Sequence, residues 1–400
     1  MARSNSSWNS YTDTIMISKS LNDFAGVTNL VINNMQVLYN SVLEYDLSLS
    51  ENKHDLLVIT MTGISPKAVT DYIGAPVKFF MGSSNGRSQT FNGYISYTEP
   101  FSNNRDGFVN KSPIQLTKLY CVGASFVMKE VRSKVWDYPT LTDVVNDIAS
   151  RYRFSIDYPT DAYQPIRLVQ ATESDWSFLN KVCKTFGLSF TLHGTHLHIW
   201  DRSKATGRMS SYHVATTSSK TQANQPFSVL NFEATLGRIS SSVNASKSVV
   251  TVLDNQNNVH TVTSDSTDYN PGNSLPKLFK KPLYYSANSL EEGLKIVDSN
   301  DKSNYIYNAT IRVMYGAGAV PGGLIDLKGY SSDFDGLWYI TDVKHLVKSE
   351  NYVTELLVIK DSKYEDRPTI TLTKRFSNPP TSFLLNDNWV AETSEVMQYA

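Results

Sequence analysis

The 400-residue sequence is short of several features that often signal a function. It has only two cysteines, Cys121 and Cys183, in the apolar settings "LYCVG" and "KVCKTFG". That excludes a disulfide framework and reads as two buried free thiols in a chain made in a reducing cytosol. It has no surplus of basic charge: 37 Lys and Arg face 38 Asp and Glu, a net −1. Tight gripping of a nucleic-acid backbone, which needs a basic surface, is therefore not expected. It has no apolar run of about 18 residues, so no membrane-spanning helix is expected. The opening "MARSNSSWNSYTDT" lacks the apolar centre of a secretory leader and reads as a Ser/Asn-rich extended arm over residues 1–25.

Catalytic signatures are missing as well. There is no G-x-S-x-G elbow, no H-E-x-x-H and no Walker A loop. "GAGAVPG" (Gly316–Gly322) has the wrong glycine spacing for a dinucleotide loop and carries a proline, so a turn before a strand is the better reading. Asp333 and Asp335 in "SSDFDG" offer paired carboxylates, but the further ligands of a calcium loop are absent and an Asp-Gly turn explains them. No catalytic or cofactor-binding residue is assigned, and no enzymatic activity is expected.

What the chain does have is β-forming residues. Tyrosine occurs 23 times and hydrophobic residues make up 40%, enough for real cores; at roughly 100–200 residues per domain, two to four domains fit. Strand follows strand from about Val27 to Val135: "DLLVITMT", a hairpin "APVKFFMGSSNGRSQTFNGYISYTE" turning near Asn85-Gly86, then "SPIQLTKLYCVGASFVMKEV". The period then changes. Leu141, Val144, Val145, Ile148 and Tyr152 follow helical spacing behind a Thr140 N-cap. Trp176, Leu179, Val182, Cys183 and Phe186 form a second stripe, with Thr172 as the expected cap and Gly187 placed for a left-handed C-terminus. A third helix is predicted from Ser289, which with Glu292 makes a capping box. Strands return around it: "FSVLNFEATLG", "KSVVTVLDNQNNVHTVTS" with a tip at Asn255 to Asn258, then "GGLIDLKG", "GLWYITDVKHLV" and "NYVTELLVIK".

The stretch "LSFTLHGTHLHIWD" (Leu188–Asp201) packs three of the seven histidines into six residues. It reads as a hairpin with His193-Gly194 as the turn. His196, His198 and Trp200 then share one face and Leu197 and Ile199 the other. An H-x-H pair on a strand can chelate a metal, so His196 and His198 are the candidate ligands. A third ligand is missing, and His193 in the turn is doubtful. A half-exposed hairpin with a wet His/Trp face accounts for the same residues without a metal.

Two β-regions also resemble each other. Gly74–Phe80, Asn92–Thr98 and "IQLTKLY" are matched in order by Pro321–Leu327, Asp335–Val343 and "TELLVI". Loops of unequal length separate them, and two unrelated meanders would look much the same.

Taken in order, "IGAPVKFFMG…FNGYISYTEPF", "VWDYPTLTDVVNDIASRY", "ATESDWSFLNKVCKTFGLSFTLHGTHLHIWD" and Gly336–His345 with "NYVTELLVI" resemble the baseplate hub proteins of tailed phages and the hub portion of the type VI secretion spike. The likeness covers roughly residues 20–360. It implies a mainly β fold with α+β insertions: two tube-type β-barrel domains, a decorating α/β domain and an inserted small domain. The corresponding division is an N-terminal arm at 1–25, a first barrel at 26–133, the α/β domain at 134–202, a second barrel at 203–245 and 305–362, an insertion at 246–304, and an extended C-terminal tail at 363–400.

The resemblance implies a virion protein made in the host cytoplasm. It would be a homotrimer whose six barrels form a pseudohexameric ring between a hexameric tail tube and a trimeric central spike. Baseplate wedge proteins and the tape measure protein are further implied neighbours, and DNA would pass through without specific binding. The near-neutral composition suits such a conduit, whose lumen is expected to be acidic or polar. Two features depart from the family: no lysozyme or peptidase segment is present, and the tail has no match. The alternatives are a carbohydrate-binding tail adhesin, suggested by the Tyr and Trp content, and a metal-dependent virion-associated hydrolase using the histidine hairpin.

Overall fold

A computed structural model describes residues 27–37, 41–62, 72–82, 88–103, 114–137, 139–157, 167–201, 212–215, 229–236, 248–253, 259–264, 283–287, 289–302, 307–314, 318–328, 334, 336–348, 351–360, 370–375 and 393–397. The first strands are β1 (Val27–Ile32), β2 (Met35–Gln36), β3 (Val42–Ser50), β4 (Leu56–Thr62), β5 (Pro76–Gly82), β6 (Ser88–Asn103) and β7 (Ile114–Gly123). Their alternation places one face inward: in β3, Tyr45, Leu47 and Leu49 are buried while Asp46, Ser48 and Ser50 are half-buried.

An α/β layer follows: β8 (Val131–Asp137), α1 (Leu141–Tyr152), β9 (Ser155–Asp157), β10 (Arg167–Ser174), α2 (Asp175–Thr185), β11 (Leu188–His193) and β12 (His196–Asp201). Helix α1 begins where its sequence indicates. The Thr140 hydroxyl accepts from the Asp143 amide, and the Asp143 carboxylate accepts from the Thr140 amide in return. The apolar stripes of α1 and α2 pack on Phe190, Leu192, Leu197 and Ile199 to form a separate core.

The chain continues through β13 (Tyr212–Ala215), β14 (Val229–Leu236), β15 (Ser248–Leu253), β16 (Val259–Ser264), β17 (Leu283–Ala287) and α3 (Leu290–Lys302). It then forms β18 (Tyr307–Met314), β19 (Leu324–Lys328), β20 (Gly336–Lys348), β21 (Asn351–Lys360), β22 (Ile370–Arg375) and β23 (Thr393–Met397). Helix α3 packs on β15 and β16 through Ile296 and Val297.

The mainly β reading holds. The largest sheet has 13 strands, and its path contains the same strand order twice. One set pairs as β1-β5-β6-β7-β4-β3, the other as β13-β19-β20-β21-β18-β14, and the six strands occur in matching chain order in both. Irregularities match too. A bulge at Leu43, where β3 meets β4, has its counterpart at Leu230, where β14 meets β18. A bulge at Ser96, between β6 and β7, has its counterpart at Thr341, between β20 and β21.

The entry into β5 is also repeated. Gly74 (φ +79°) donates to the Ile95 carbonyl at 2.8 Å, as Gly322 (φ +84°) does to Ile340 at 2.8 Å. Glycine is needed at both because the left-handed region penalises a Cβ. One element differs: β1 runs antiparallel to β5, whereas β13 runs parallel to β19.

The two sets share one core, in which Leu47, Ile59 and Phe79 join Ile311, Trp338 and Tyr352. They also share a joint. Strand β3 pairs antiparallel with β20, from Asp342 opposite Ser50 to Lys348 opposite Glu44. Through this joint the strands of both halves run in one continuous sheet.

Some local expectations shift. The cap of α2 is Ser174, whose hydroxyl accepts from the Ser177 amide at 3.1 Å. Thr172 lies in an irregularity of β10 with φ +51°, so the helix cannot begin there. The region read as an extended C-terminal tail contributes β22 and β23 to a five-stranded sheet, β17-β15-β16-β22-β23. The reason is that "ITLTKR" is a β-forming run that meets an open ladder on β16. The N-terminal arm, the Asn85-Gly86 turn, the Asn255 to Asn258 tip, Asp333 and Asp335 lie outside the described residues.

Candidate functional site

The histidine hairpin turns one residue later than expected. Gly194 takes φ +64°, and His193 is the last residue of β11, directly opposite His196. The three rings face different partners. His193 Nδ1 lies 3.0 Å from Asp55, His198 Nδ1 lies 3.4 Å from Asp157, and His196 bonds the Ser155 hydroxyl. The His196 and His198 ring centres stand 6.2 Å apart. Among the described residues no group of three or more His, Cys, Asp or Glu is placed to hold a metal ion. A cleft of about 320 Å³ beside the hairpin tip is lined by Lys78, Phe80, Thr90, Asn92 and His196 among others, with no carboxylate.

The hairpin's other end works as a dock. Trp200, expected on the wet face, is 6% exposed. It packs against Gly322, where a Cβ would come within 2.7 Å of its ring, and donates its indole N–H to the Tyr339 hydroxyl at 2.9 Å. Tyr339 donates in turn to Glu51 at 2.7 Å, and Glu51 also accepts from Ser189. One buried polar chain thus ties the α/β layer (Trp200, Ser189), the end of β3 (Glu51) and β20 (Tyr339). Asn52 reinforces it: its amide donates to the Phe190 carbonyl at 2.9 Å, and its side chain accepts from Phe190 at 3.0 Å.

Beside this chain, His54 stacks on Trp176 with ring centres 4.1 Å apart. Burial, helped by Lys129, pulls its pKa down to about 4. Burial also opposes charge on His193, but the Asp55 carboxylate outweighs it and the pKa rises. Burial lowers that of His198 despite Asp157. The two cysteines are buried, which raises both thiols above their ordinary range. His54 also bonds the Ser125 hydroxyl through Nδ1 at 2.7 Å.

The sheet ends are the more informative surface. Strand β3 fills one edge of β20 beyond the reach of β19. The counterparts of these two strands, β14 and β6, are left open among the described residues. Strand β14 pairs β18 on one side only, and β6 beyond Tyr94 pairs β7 on one side only. Ser96, Tyr97, Glu99 and Pro100 are exposed there, as are Leu230 and Glu233 on β14. The sequence signal for this pair is the gapless match of "VLEYDLSL" (Val42–Leu49) with "VLNFEATL" (Val229–Leu236), which the motif reading missed.

Comparison with known proteins agrees with this architecture. A family model described as phage tail baseplate hub (GPD) matches residues 43–351. A tail protein from Neisseria meningitidis is similar at TM-score 0.62 and 11% identity, over 84% of this chain and 96% of that one. A prophage tail protein from Shewanella oneidensis is similar at TM-score 0.60 and 11% identity, over 83% and 98%. A type VI secretion component from Escherichia coli, described as structurally similar to T4 bacteriophage tail proteins, matches at TM-score 0.55 and 12% identity, over 85% and 78%. No curated protein sequence matches the chain.

Proposed function

Because the chain belongs to the phage tail baseplate hub family, and so is a structural component of a phage tail, we propose that it works as a homotrimeric symmetry adaptor. Three copies present six similar strand sets in a ring. A hexameric tail tube stacks on one side, and a trimeric central spike is held on the other by the parts that occur once per chain. The bore forms part of the DNA conduit, and wedge and tape measure proteins are neighbours in the assembled baseplate.

The supporting observation is the double occurrence of one strand order, with bulges at matching places, inside a single chain. A threefold assembly of such chains offers six nearly equivalent positions. Among the described residues no helix is long and apolar enough to cross a membrane. Mass measurement in solution tests the reading, followed by imaging down the particle axis. A three-chain particle with six similar lobes is expected; a monomer with no ring at any concentration overturns it.

A further inference from the structure

The joint between β3 and β20 is a template for a second joint that one chain cannot make by itself. The bulges fix the correspondence residue by residue. On one side Ile95 matches Ile340, so Thr98, Glu99 and Pro100 match Val343, Lys344 and His345. On the other, Val42 matches Val229, so Asp46, Leu47 and Ser48 match Glu233, Ala234 and Thr235. Within the chain His345 lies opposite Leu47, and both are 0% exposed. Their counterparts are Pro100, which is exposed, and Ala234, which is half-buried.

We propose that β14 of one copy pairs antiparallel with the open half of β6 in the next copy, in the register that β3 and β20 use within a chain, placing Ala234 opposite Pro100. This rests on the ring reading above and specifies the edges that make the ring. The occupant is a second copy of this chain because the geometry that accepts β3 at β20 is repeated at β6, and the strand that fits it is repeated as β14. The two edges differ, so the contact is head-to-tail and closes when the third copy meets the first. Closure leaves neither edge exposed, which removes the hazard that open strand edges pose.

Two contacts do not carry over. Pro100, the counterpart of His345, has no backbone N–H to donate across the joint. Lys344 reaches Asp46 at 2.9 Å across the internal joint, and the matching pair between copies is Glu99 and Glu233. Both are acids. The joint between copies therefore lacks the ion pair that its internal template has, so it is the weaker of the two.

Cysteine pairs in the full-length chain test the register. Directly opposite residues in an antiparallel sheet have Cα atoms about 4.5–5.5 Å apart, within disulfide reach, whereas a two-residue offset moves them to about 7–8 Å, beyond it. Pro100→Cys with Ala234→Cys should give oxidised two- and three-chain species on a denaturing gel. Each single variant alone should give none, and the two single variants co-expressed should stop at two chains. Thr98→Cys with Ala234→Cys, offset by two residues, should stay uncrosslinked.

A three-chain particle by mass in which Pro100→Cys/Ala234→Cys crosslinks no better than the offset control overturns this joint and leaves the ring reading standing. A monomeric wild-type protein overturns both. Should the double cysteine variant fail to fold, Glu99→Lys gives a readout that misfolding cannot imitate. It restores a Lys–Glu pair across the joint, so trimers should survive dilution to several-fold lower concentration, and adding Glu233→Lys should abolish the gain. No gain from Glu99→Lys also overturns the joint.

Discussion

The indole N–H of Trp200 and the phenol of Tyr339 meet at 2.9 Å, although one belongs to the α/β layer and the other to β20. Tyr339 in turn donates a hydrogen bond to Glu51. Tyr339→Phe therefore keeps the ring but takes away the acceptor of the buried Trp200 N–H and one donor to Glu51. A buried donor left without its acceptor costs about 1–3 kcal/mol. The expected result is a clear drop in the thermal midpoint with a red-shifted tryptophan emission. A variant indistinguishable from wild type would show that the chain of bonds contributes nothing to docking.

Gly322 and Gly74 occupy equivalent places with similar positive φ, so alanine should strain both backbones by about 1–3 kcal/mol. Their surroundings differ. A Cβ on Gly322 meets the Trp200 ring at 2.7 Å, whereas one on Gly74 finds nothing within 4 Å. Gly322→Ala should thus be the more destabilising in urea titrations. Equal losses would mean that Trp200 yields freely and that the dock is loose.

His345 predicts how stability responds to acid. It lies fully buried against the Tyr352 and Thr354 hydroxyls at 2.9 and 3.2 Å, and burial drives its pKa down to about 3. An unfolded histidine takes its proton near pH 6.5. Between about 6.5 and about 3 the unfolded chain therefore binds a proton that the folded chain refuses, and stability falls as pH falls. His193 works in the opposite sense: its pKa is raised, so its contribution is complete below about 6.5 and fades as pH climbs through the folded value. Thermal midpoints recorded from about pH 8 to about pH 4 should show His345→Gln losing less on acidification than wild type. Parallel curves would remove His345 from the account.

The purified protein should carry no stoichiometric zinc or iron, and His196→Ala with His198→Ala should leave the response to a chelator unchanged. Those two rings are 6.2 Å apart, and Asp55 and Asp157 serve separate histidines, His193 and His198. Elemental analysis giving one metal per chain would reinstate the hydrolase alternative.

Helix α1 was readable because its signals are local: a Thr140 cap and an apolar stripe of which Leu141, Val144, Val145 and Ile148 are buried, all within one short segment. The histidine hairpin was readable as a hairpin, but its turn was misplaced by one residue, since Gly194 fits either of two adjacent turn positions. The repeated β-module was half legible. The likeness of Gly74–Phe80 to Pro321–Leu327 was visible in the letters, whereas Val42–Leu49 against Val229–Leu236 was not, because Leu47 is replaced by Ala234 and alternation alone is common in strands. Least legible was the joint of β3 with β20. Its partners lie roughly 300 residues apart, as His345 and Leu47 do, and no local propensity records which edge a strand will meet.

Asp175 gives the sharpest test of what holds the α/β layer together. Its side chain is 0% exposed, and it accepts from Arg151 at 2.9 Å to both oxygens, from Tyr152 at 2.7 Å and from Gln170 at 2.8 Å. Burial, together with this carboxylate, raises the Tyr152 phenol to about 12. Removing one partner of a buried ion pair leaves the other uncompensated, at about 3–5 kcal/mol. The half-exposed pair of Lys134 with Asp147 at 2.8 Å is reached by water, which screens it, and is worth about 1 kcal/mol or less. Asp175→Ala should therefore cost several times what Lys134→Ala costs in urea unfolding followed through Trp136 and Trp176. Asp175→Asn should fall between them, since an amide keeps one acceptor oxygen but not the charge. If the three variants lost equal amounts, the layer would be held by its apolar core alone and the buried carboxylate would be incidental.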